Sequence, residues 1–585
     1  MKQLKQNISW TFLDYWRGKE FTGEWPTFPE LLKIQSYRFA KRPCFTVIED
    51  TKITLTYQEV YEKVCKLSDW FIENGLKKGD HVCLAGKNSP EWAVTYLAIL
   101  QASGVVIPIA DSLHEAETIN IIKASDSKFA VLDDEKIPYT KKHFPKITIR
   151  NLNPTDSKNY VYNLGAKKKV KQNEPAKEDD LALIMFTSGT TGIPKGVMLT
   201  HKNIIADGFI AQTNLIIKET DVFYALLPIH HAYTMQAAFI CPLEVGAEIV
   251  FGKTMAVSKL MKELHDGKIT IMLGVPLLYN KLLAGIRKGI KEKGFLVVGL
   301  MAFLRGISFT FKKMFKINIG KKIFKPVLKK ANIYTLRVAI CGGGPLAPSV
   351  FKQYQAMGLD FIQGYGLTET SPIIALNPVE HFKLDSVGRD FSPYEEIKII
   401  NADSMKNGHP VGEIAVKGPM VMKGYYKMPK ETAEMFTEDG FLKTGDLGWM
   451  DDEHYIRLCG RAKNLIVTSG GKNVYPEEIE DAFQLYDDIN QITCRGYYTD
   501  EEKTAEEIEV LIYASDDLYK RLGLERNPDT VQPEIYDEIK KTVSKVNKTL
   551  QSYEQISKIT LLKEPLEMTP SNKVKRNFTA KTYEI

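Results

Sequence analysis

Largely apolar runs alternate with amphipathic stretches through the first half of the chain. The runs at 81–85, 105–109 and 181–185 predict buried strands. The stretches 59–74 and 90–102 carry apolar residues at helical spacing, and the second begins with Ser89 as a candidate N-cap. Because strands and helices alternate, the pattern predicts a parallel, doubly wound α/β sheet.

The pattern changes near Gly460. Beyond it we predict three strands and one amphipathic helix, at 492–497, 507–513, 559–563 and 533–550. A length of 585 residues also exceeds what one hydrophobic core usually supports. We therefore expect a large N-terminal domain over 1–459, a connection at 460–464 and a small α+β domain over 465–585.

Charge and composition indicate an ordinary globular protein. The net charge of +6 is too small to indicate a nucleic-acid partner, and seven scattered cysteines without CxxC spacing favour reduced thiols in the cytoplasm. No apolar core of a secretory signal follows the N-terminus. The longest run free of polar side chains, 294–304, is shorter than a spanning helix. We expect a soluble or at most peripheral protein.

Residues 285–330 differ from the rest of the chain. They contain thirteen Lys or Arg residues and one acid, interleaved with aromatic and aliphatic side chains. Two interpretations remain open. The segment binds an anionic lipid surface at the cytoplasmic face of the membrane, or it packs its apolar side on the main body as a surface subdomain.

A loop rich in glycine and hydroxyl groups joins the predicted strand at 181–185 to the apolar run at 197–199. Residues 187–196 read Thr-Ser-Gly-Thr-Thr-Gly-Ile-Pro-Lys-Gly. Backbone N–H groups and hydroxyls of such a loop can surround a phosphate, and Lys195 can neutralise it. The Gly-Lys-Ser/Thr sequence of Walker A is absent, so we do not expect a P-loop hydrolase.

Two further motifs indicate nucleotide chemistry. Gln363-Gly364-Tyr365-Gly366 places a flat ring between glycines, which suits stacking on a purine, and Thr368 and Glu369 supply hard oxygen atoms for Mg²⁺. Asp446 follows Gly445 in a predicted tight turn. It is suited to bind ribose hydroxyls, although an aspartate in such a place also caps its own turn.

Together these residues resemble the adenylate-forming superfamily of acyl-CoA synthetases, luciferases and adenylation domains, across residues 57–576. The matching elements occur in the family's order, at 187–196, 228–231, 343–345, 364–369, 412–418, 444–446 and 460–463. The resemblance implies a large domain with doubly wound sheets and a small barrel-like subdomain, and a small mobile C-terminal domain.

The resemblance also implies a two-step reaction that uses ATP, Mg²⁺ and coenzyme A. A carboxylate is first converted to an acyl-adenylate with release of pyrophosphate, and a thiol then displaces AMP. The implied catalytic residues are Lys573, Lys195 and His231, although Asn572 replaces the family's usual glycine before Lys573. The implied metal ligands are Thr187, Thr368 and Glu369.

The remaining implied site residues bind nucleotide or acid. Those for ATP are Thr187, Ser188, Gly189, Thr190, Thr191, Gly192, Lys195, Gly343, Gly344, Pro345, Gln363, Gly364, Tyr365, Gly366, Thr368, Asp446, Arg461 and Lys463, the last at the hinge. Those for the acid are His231, Tyr233 and Gly364. Without the resemblance, a core histidine beside His230 is the simpler interpretation of His231.

The residues of these motifs are most similar to those of bacterial long-chain fatty acid–CoA ligases. One departure is Met235, where some long-chain members carry a tryptophan. Two alternatives remain open: a ligase that loads an acyl carrier protein, and a catalytically silent, membrane-associated binding protein. The oligomeric state, including a homodimer, is not determined by the sequence.

Overall fold

In the computed structural model the described residues are 8–187, 194–252, 254, 256–468, 472–498, 506–527, 529–568, 576 and 581–583. The helices are α1 Leu13–Trp16, α2 Phe28–Phe39, α3 Tyr57–Glu73, α4 Pro90–Gln101, α5 Glu115–Ala124, α6 Ile137–His143, α7 His201–Ala211, α8 Ala232–Thr234, α9 Cys241–Val245, α10 Val257–Asp266, α11 Pro276–Lys291, α12 Phe295–Phe315, α13 Gly320–Ile323, α14 Lys325–Lys330, α15 Pro348–Ala356, α16 Pro429–Glu434, α17 Pro476–Asp481, α18 Asp516–Leu522 and α19 Pro533–Asn547. Shorter 3₁₀ turns cover Asp134–Lys136, Val161–Asn163, Thr368–Thr370, Ala462–Asn464 and Ser552–Glu554, and a π-helical turn covers Met235–Ile240.

The strands are β1 Pro43–Ile48, β2 Lys52–Thr56, β3 His81–Ala85, β4 Val105–Ile109, β5 Phe129–Leu132, β6 Thr148–Asn151, β7 Leu181–Thr187, β8 Lys195–Thr200, β9 Val222–Ala225, β10 Glu248–Phe251, β11 Ile271–Gly274, β12 Val338–Cys341, β13 Asp360–Gly366, β14 Ile373–Leu376, β15 Gly388–Arg389, β16 Glu396–Lys406, β17 His409–Lys417, β18 Gly424–Tyr425, β19 Leu442–Met450, β20 Tyr455–Arg461, β21 Ile466–Val467, β22 Asn473–Val474, β23 Ile489–Tyr498, β24 Glu506–Ala514 and β25 Lys558–Leu561.

Two large sheets organise the part of the chain before residue 460. In one, the described strands run in the order β18-β8-β7-β4-β3-β5-β6, parallel from β7 to β6. In the other, β1, β10, β9, β11, β12 and β13 are parallel, and the sheet continues through antiparallel β14, β15, β20, β19, β17 and β16. The α/β class predicted from the alternating pattern is confirmed.

One apolar core lies between helices and both large sheets, with Trp92, Phe209 and Phe239 among its fully buried side chains. A second core covers the other face of the larger sheet and includes Tyr279 and Phe361. Residues after Ile466 form a cluster of their own around β23, β24 and α19, which includes Ile539.

Several predicted elements have the bounds that the sequence indicates. Strands β3 and β4 begin and end at the predicted residues, and the Ser89 hydroxyl accepts a hydrogen bond from the Trp92 N–H at 3.1 Å as the N-cap of α4. The basic segment 285–330 is helical. Its central helix α12 extends beyond the apolar run 294–304 and, by length and composition, is able to cross a bilayer.

Candidate active site

The predicted phosphate loop connects two paired strands. Thr187 at the end of β7 pairs with Lys195 at the start of antiparallel β8, and the Thr187 hydroxyl donates to the Lys195 carbonyl at 3.4 Å. Ser188, Gly189, Thr190, Thr191 and Gly192 lie outside the described residues. Because the loop closes a hairpin, the sheet fixes both of its ends.

Tyr425 lies between Lys195 and Glu369. Strand β18 pairs with β8, and the Lys195 ammonium lies over the Tyr425 ring, 4.9 Å from its centroid. The Tyr425 hydroxyl donates to Glu369 Oε1 at 2.8 Å. Burial, and then the Glu369 charge, raise the pKa of Tyr425, so its hydroxyl remains a donor at neutral pH. A cation and a carboxylate are therefore arranged around one aromatic side chain.

The residues near this cluster fit a magnesium ion that also binds phosphates. Thr368 and Glu369 lie in a 3₁₀ turn that packs against β8, the strand that begins at Lys195. Among the described residues, His, Cys, Asp and Glu side chains form no group of three or more suited to hold a metal. One carboxylate with hydroxyl oxygens fits Mg²⁺, which usually completes its coordination with water and substrate phosphates.

Asp446 joins two other predicted nucleotide residues. The Tyr365 hydroxyl donates to Asp446 Oδ2, and Arg461 Nε lies against Asp446 Oδ1, both at 2.7 Å. The predicted tight turn is wrong, since Asp446 lies inside strand β19, where Gly445 at φ +70° forms an irregularity in the pairing with β17. The Asp446 N–H donates to the Thr444 hydroxyl at 3.1 Å, so its backbone is also held.

The glycine segment around Gly343 lies between the large sheet and the C-terminal residues. A Cβ added at Gly343 or Gly344 would lie 3.6 Å from Val275 or Pro276, where α11 begins. On the other side, Gln484 Nε2 donates to the Pro345 carbonyl at 3.1 Å. This loop therefore contacts the start of α11 and a residue that follows α17.

The two histidines have different surroundings. Their ring centroids lie 4.3 Å apart, and His230 is buried with Nδ1 4.0 Å from Asp111 Oδ1, while His231 is half-buried at the start of α8. Burial, and then the charges of His231 and Lys136, hold the pKa of His230 well below its usual range. His230 is the core histidine, and His231 is the more accessible ring.

An apolar pocket of about 680 Å³ begins beside the nucleotide residues. Gly364, Tyr365 and Gly366 of β13 line it together with Tyr233, and its other walls are mostly apolar: Leu215, Ile217, Phe223, Ala237 and Leu376. The π-helical turn contributes Ala237. This lining suits an apolar substrate group.

Two side chains of this pocket are held in place or kept unreactive. The Tyr233 hydroxyl donates to the Ile340 carbonyl at 3.1 Å, so its ring is fixed against Gly342. The Cys241 thiol also lines the pocket, and burial raises its pKa well above the usual range. Gln363 is buried just before this segment of β13.

The C-terminal candidate residues are described only in part. Lys573 lies outside the described residues, but Arg576 contacts both Glu480 oxygens, at 2.7 Å and 2.6 Å. Burial, and then the charges of Arg461 and Arg576, lower the pKa of Lys463.

Sequence reasoning missed two residues of this arrangement, Tyr425 and Gln484. Tyr425 follows Gly424 in a two-residue strand, and no local spacing relates it to Lys195 or Glu369. Gln484 follows α17 and contacts the segment of Gly343 through Pro345. Only the sheet pairing and the packing of α17 bring them to the site.

Comparisons with known proteins agree with this geometry. Residues 32–426 match a family model described as AMP-binding enzyme. The chain is 26% identical to the long-chain-fatty-acid–[acyl-carrier-protein] ligase AEE15, chloroplastic, of Arabidopsis thaliana, over 96% of this chain and 86% of that protein. It is 27% identical to the long-chain-fatty-acid–CoA ligase of Bacillus subtilis, over 78% of this chain and 81% of that protein.

Among solved structures, the chain is similar to ATP-bound MatB from Rhodopseudomonas palustris. The TM-score is 0.73 with 23% identity, and the match covers 94% of this chain and 98% of MatB. At this identity the likeness shows a shared fold.

Proposed function

This chain belongs to the AMP-binding enzyme family, and from that membership we propose that it is an ATP-dependent long-chain fatty acid–CoA ligase. The coarser activity follows from the family and its relatives: the enzyme is an acid–thiol ligase that uses ATP, Mg²⁺ and coenzyme A. The long-chain substrate is the finer part of the proposal.

The first step is attack of a fatty-acid carboxylate oxygen on the α-phosphorus of ATP. The bond between the α-phosphorus and the pyrophosphate oxygen breaks, which gives acyl-AMP and pyrophosphate. Negative charge moves onto phosphate oxygens during this step, and fixed cations and donors stabilise it most. Lys195, in contact with the Tyr425 ring, supplies one such cation. Bound Mg²⁺, held by Glu369, Thr368 and Thr187, would neutralise phosphate charge.

We assign the adenosine part of ATP to the residues around Asp446. Asp446 is held by Tyr365 and Arg461 and would accept hydrogen bonds from the ribose hydroxyls. Gln363, Gly364, Gly366 and the segment 343–345 would border the adenine. The rigid strand position of Asp446 favours binding, because little conformational entropy remains to be lost.

In the second step the coenzyme A sulfur attacks the acyl carbon, the bond to AMP breaks, and a thioester forms. Lys573 is assigned to the first step, Lys463 to the hinge, and His231 to the acyl entrance. Lys573 lies outside the described residues, while Arg576, which follows it in sequence, contacts Glu480 of α17. The separate apolar cluster after Ile466 supports domains over 1–459 and 465–585 with a hinge at 460–464.

The single observation that carries the long-chain assignment is the apolar pocket that starts at Gly364 and Tyr365. It provides no described charged lining residue for a polar substrate tail. Seven free cysteines among the described residues support a reducing, cytoplasmic compartment.

The test is carboxylate-dependent ATP–pyrophosphate exchange with saturated acids of increasing length. Each buried methylene contributes about 0.8 kcal/mol, so two methylenes should raise kcat/KM roughly tenfold until the pocket is filled. Absence of exchange with every acid would overturn the ligase proposal, and a maximum at short acids would overturn the long-chain assignment.

A pocket variant makes this test specific. Ala237→Phe fills volume in the π-helical turn, so we expect the preferred acid to become shorter by several carbons while the KM for ATP stays within about twofold. Exchange with a medium-chain acid is the internal control for folding. An unchanged length profile would show that acids do not occupy this pocket.

The acceptor is tested separately. Thioester formation is compared with coenzyme A and with a phosphopantetheine-bearing acyl carrier protein, after the same acyl-adenylate has formed. We expect coenzyme A to be used, and transfer to the carrier protein alone would favour the relationship to the chloroplast ligase.

A further inference from the structure

Helix α12 carries its apolar side chains on the outside of the protein. Phe295, Phe303 and Met314 are 83%, 66% and 69% exposed. The exposed apolar set is completed by Leu296, Leu300, Phe311 and Phe315. A soluble surface helix normally shows the reverse pattern, with polar side chains outside.

The inward face of α12 is held by polar contacts. Ser308 and Lys312, one helical turn apart, are buried, and Lys312 Nζ lies 2.8 Å from Asp360 Oδ1 and donates to the Leu359 carbonyl at 2.9 Å. Arg305 donates to Gln353 Oε1 of α15 at 2.9 Å. Rotating the apolar face inward would break these contacts and leave Asp360 without its cation, which is costly. The outward apolar face is therefore a fixed property of the fold.

The same contacts determine the orientation in which α12 can bind a bilayer. Twenty-one residues at about 1.5 Å per residue give roughly 31 Å, enough to cross a hydrocarbon core. However, Arg305, Ser308 and Lys312 attach one side of α12 to the body of the protein. Because these anchors span two turns of the helix, and Met301 and Leu304 also pack against the core, α12 can insert only its free face and so lies parallel to the membrane surface.

The charge around α12 matches an anionic surface. Residues 285–330 contain thirteen Lys or Arg residues against one acid, and these flank the apolar face on both sides in sequence. Those before α12 include Lys288, Lys291 and Lys293, and those after it include Lys316, Lys322 and Lys325. Juxtamembrane basic residues each contribute about 1 kcal/mol to binding near anionic lipid.

We propose that α12 is an interfacial docking helix that inserts its exposed apolar face, in plane, into an anionic lipid bilayer. Helix α11 connects this surface to the active site, since it starts at Pro276 beside Gly344 and ends three residues before α12. Docking would therefore hold the acyl pocket close to the bilayer. The docking surface itself does not depend on which acid is activated.

The test compares binding of the full-length protein to vesicles of phosphatidylcholine and of phosphatidylcholine mixed with phosphatidylglycerol. Sedimentation should show binding to the anionic vesicles that weakens as salt is added. The variant Phe295→Ser/Phe303→Ser/Met314→Ser should reduce the partition coefficient at least tenfold.

A matched control carries the same chemical change elsewhere. Ile53, Ile216 and Met405 are 57%, 55% and 67% exposed, and Ile53→Ser/Ile216→Ser/Met405→Ser should bind as the unchanged protein does. Both triple variants should retain exchange activity with a water-soluble short acid, which shows that they fold. No binding by the unchanged protein, or equal binding by both variants, would overturn the proposal.

Depth measurements separate an in-plane helix from a spanning one. An environment-sensitive fluorophore is attached at Phe295→Cys, Phe303→Cys or Met314→Cys, with Met405→Cys as the control. In-plane docking predicts similar quenching of the first three by a shallow quencher in the outer leaflet. Quenching that places the two ends of α12 at opposite interfaces, as in a spanning helix, would contradict in-plane docking. A dimer in the absence of lipid would also contradict the proposal if the Phe295, Phe303 and Met314 substitutions dissociated it and left vesicle binding unchanged. In that case a second copy of the chain would cover the apolar face.

Discussion

At the scale of single residues, Tyr425 couples two charges that the proposed reaction needs. Its ring contacts Lys195, and its hydroxyl donates to Glu369 Oε1 at 2.8 Å. The hydrogen bond restrains the carboxylate, and the ring restrains the ammonium without neutralising it. We infer that Tyr425 positions both groups and does not itself contact reacting atoms.

The variant Tyr425→Phe keeps the ring and removes the hydroxyl. A hydrogen bond to a charged group contributes about 1.5–3 kcal/mol, so we expect exchange to slow about tenfold or more, with a higher Mg²⁺ requirement. The measurement is the rate of exchange against Mg²⁺ concentration at saturating ATP.

The neighbouring tyrosine provides the control for this prediction. The Tyr426 hydroxyl donates to Asp126 at an exposed site, at 2.8 Å, so Tyr426→Phe loses the same kind of bond away from the cluster. If the two variants slow exchange equally, the positioning role of Tyr425 is wrong.

Sequence motifs identified Lys195, Glu369 and Asp446 as candidates, but they could not show how these groups are held. The partners of Tyr425 are contributed by β8 and by a turn 56 residues earlier. Likewise, the side chain that orients Asp446 from β20 is Arg461, which belongs to a different motif. Such contacts depend on strand pairing, and no local spacing of residues in the sequence indicates them.

At the scale of elements, helix α17 connects the C-terminal residues to the segment around Gly343. Gln484, just after α17, accepts from the Ala347 N–H at 2.9 Å and donates to Asp481 Oδ1 at 2.8 Å. Burial, and then the charge of Glu480, raise the pKa of Asp481 to about 8. A half-buried carboxyl group with a raised pKa therefore accepts from the residue that makes the contact.

The raised pKa of Asp481 makes the stability of the folded protein depend on pH. Between an unfolded pKa of about 3.9 and the folded value of about 8, the folded protein keeps a proton that the unfolded chain has lost, so stability falls as pH rises. Asp481→Asn should remove this fall and stabilise the protein at pH ~8 by at least about 1.4 kcal/mol, the equivalent of one pKa unit.

The measurement is thermal unfolding of the Asp481→Asn variant and the unchanged protein across this pH range. Their difference should shrink toward acid pH. Asp516→Asn, at an exposed position on neighbouring α18, should follow the unchanged protein. A pH-independent gain would mean that the substitution acts through packing alone.

Element types were largely predictable because apolar periodicity and caps are local signals. Helix α3 starts at Tyr57, two residues before the predicted start, because the Thr56 hydroxyl and the Glu59 carboxylate form a capping box there. Helix α4 ends at Gln101, one residue before the predicted end, where the Ala102 N–H still donates to the Ala98 carbonyl at 3.0 Å. The ends of these elements are thus set by contacts that the apolar periodicity of the sequence does not indicate.

At the scale of the whole molecule, the proposed alternation of domains brings Lys573 to the active site only in the first step. Lys573→Ala should lower pyrophosphate exchange roughly 10²–10³-fold, because one positioned donor to a charged transition state is worth that much. Thioester formation from preformed acyl-adenylate should be largely kept.

The control is Lys581→Ala, which removes an exposed cation of the same C-terminal stretch that pairs with Glu564. It should leave both half-reactions unchanged. Equal loss of both half-reactions in Lys573→Ala would refute the proposed alternation of domains.

The change in pattern near Gly460 predicts a large and a small unit, but the sequence carries no signal for the contact between Gln484 and Pro345. Gln484 meets Pro345 across 139 residues of sequence, and neither residue has a pattern that indicates the other. Similarly, the basic composition of 285–330 left a lipid surface and a packed surface subdomain both open, whereas the structure was needed to show that Lys312 is buried and Phe303 exposed.

The state of the cysteines has a consequence for an enzyme that makes activated acyl groups. All seven thiols are free, six are buried, and burial raises the pKa of every one of them. Thiolates, not thiols, attack acyl carbons. The cysteines therefore present few thiolates at neutral pH, even at Cys241 in the apolar pocket. We expect little self-acylation at cysteine, which leaves the proposed acyl-adenylate for the thiol that arrives from solution.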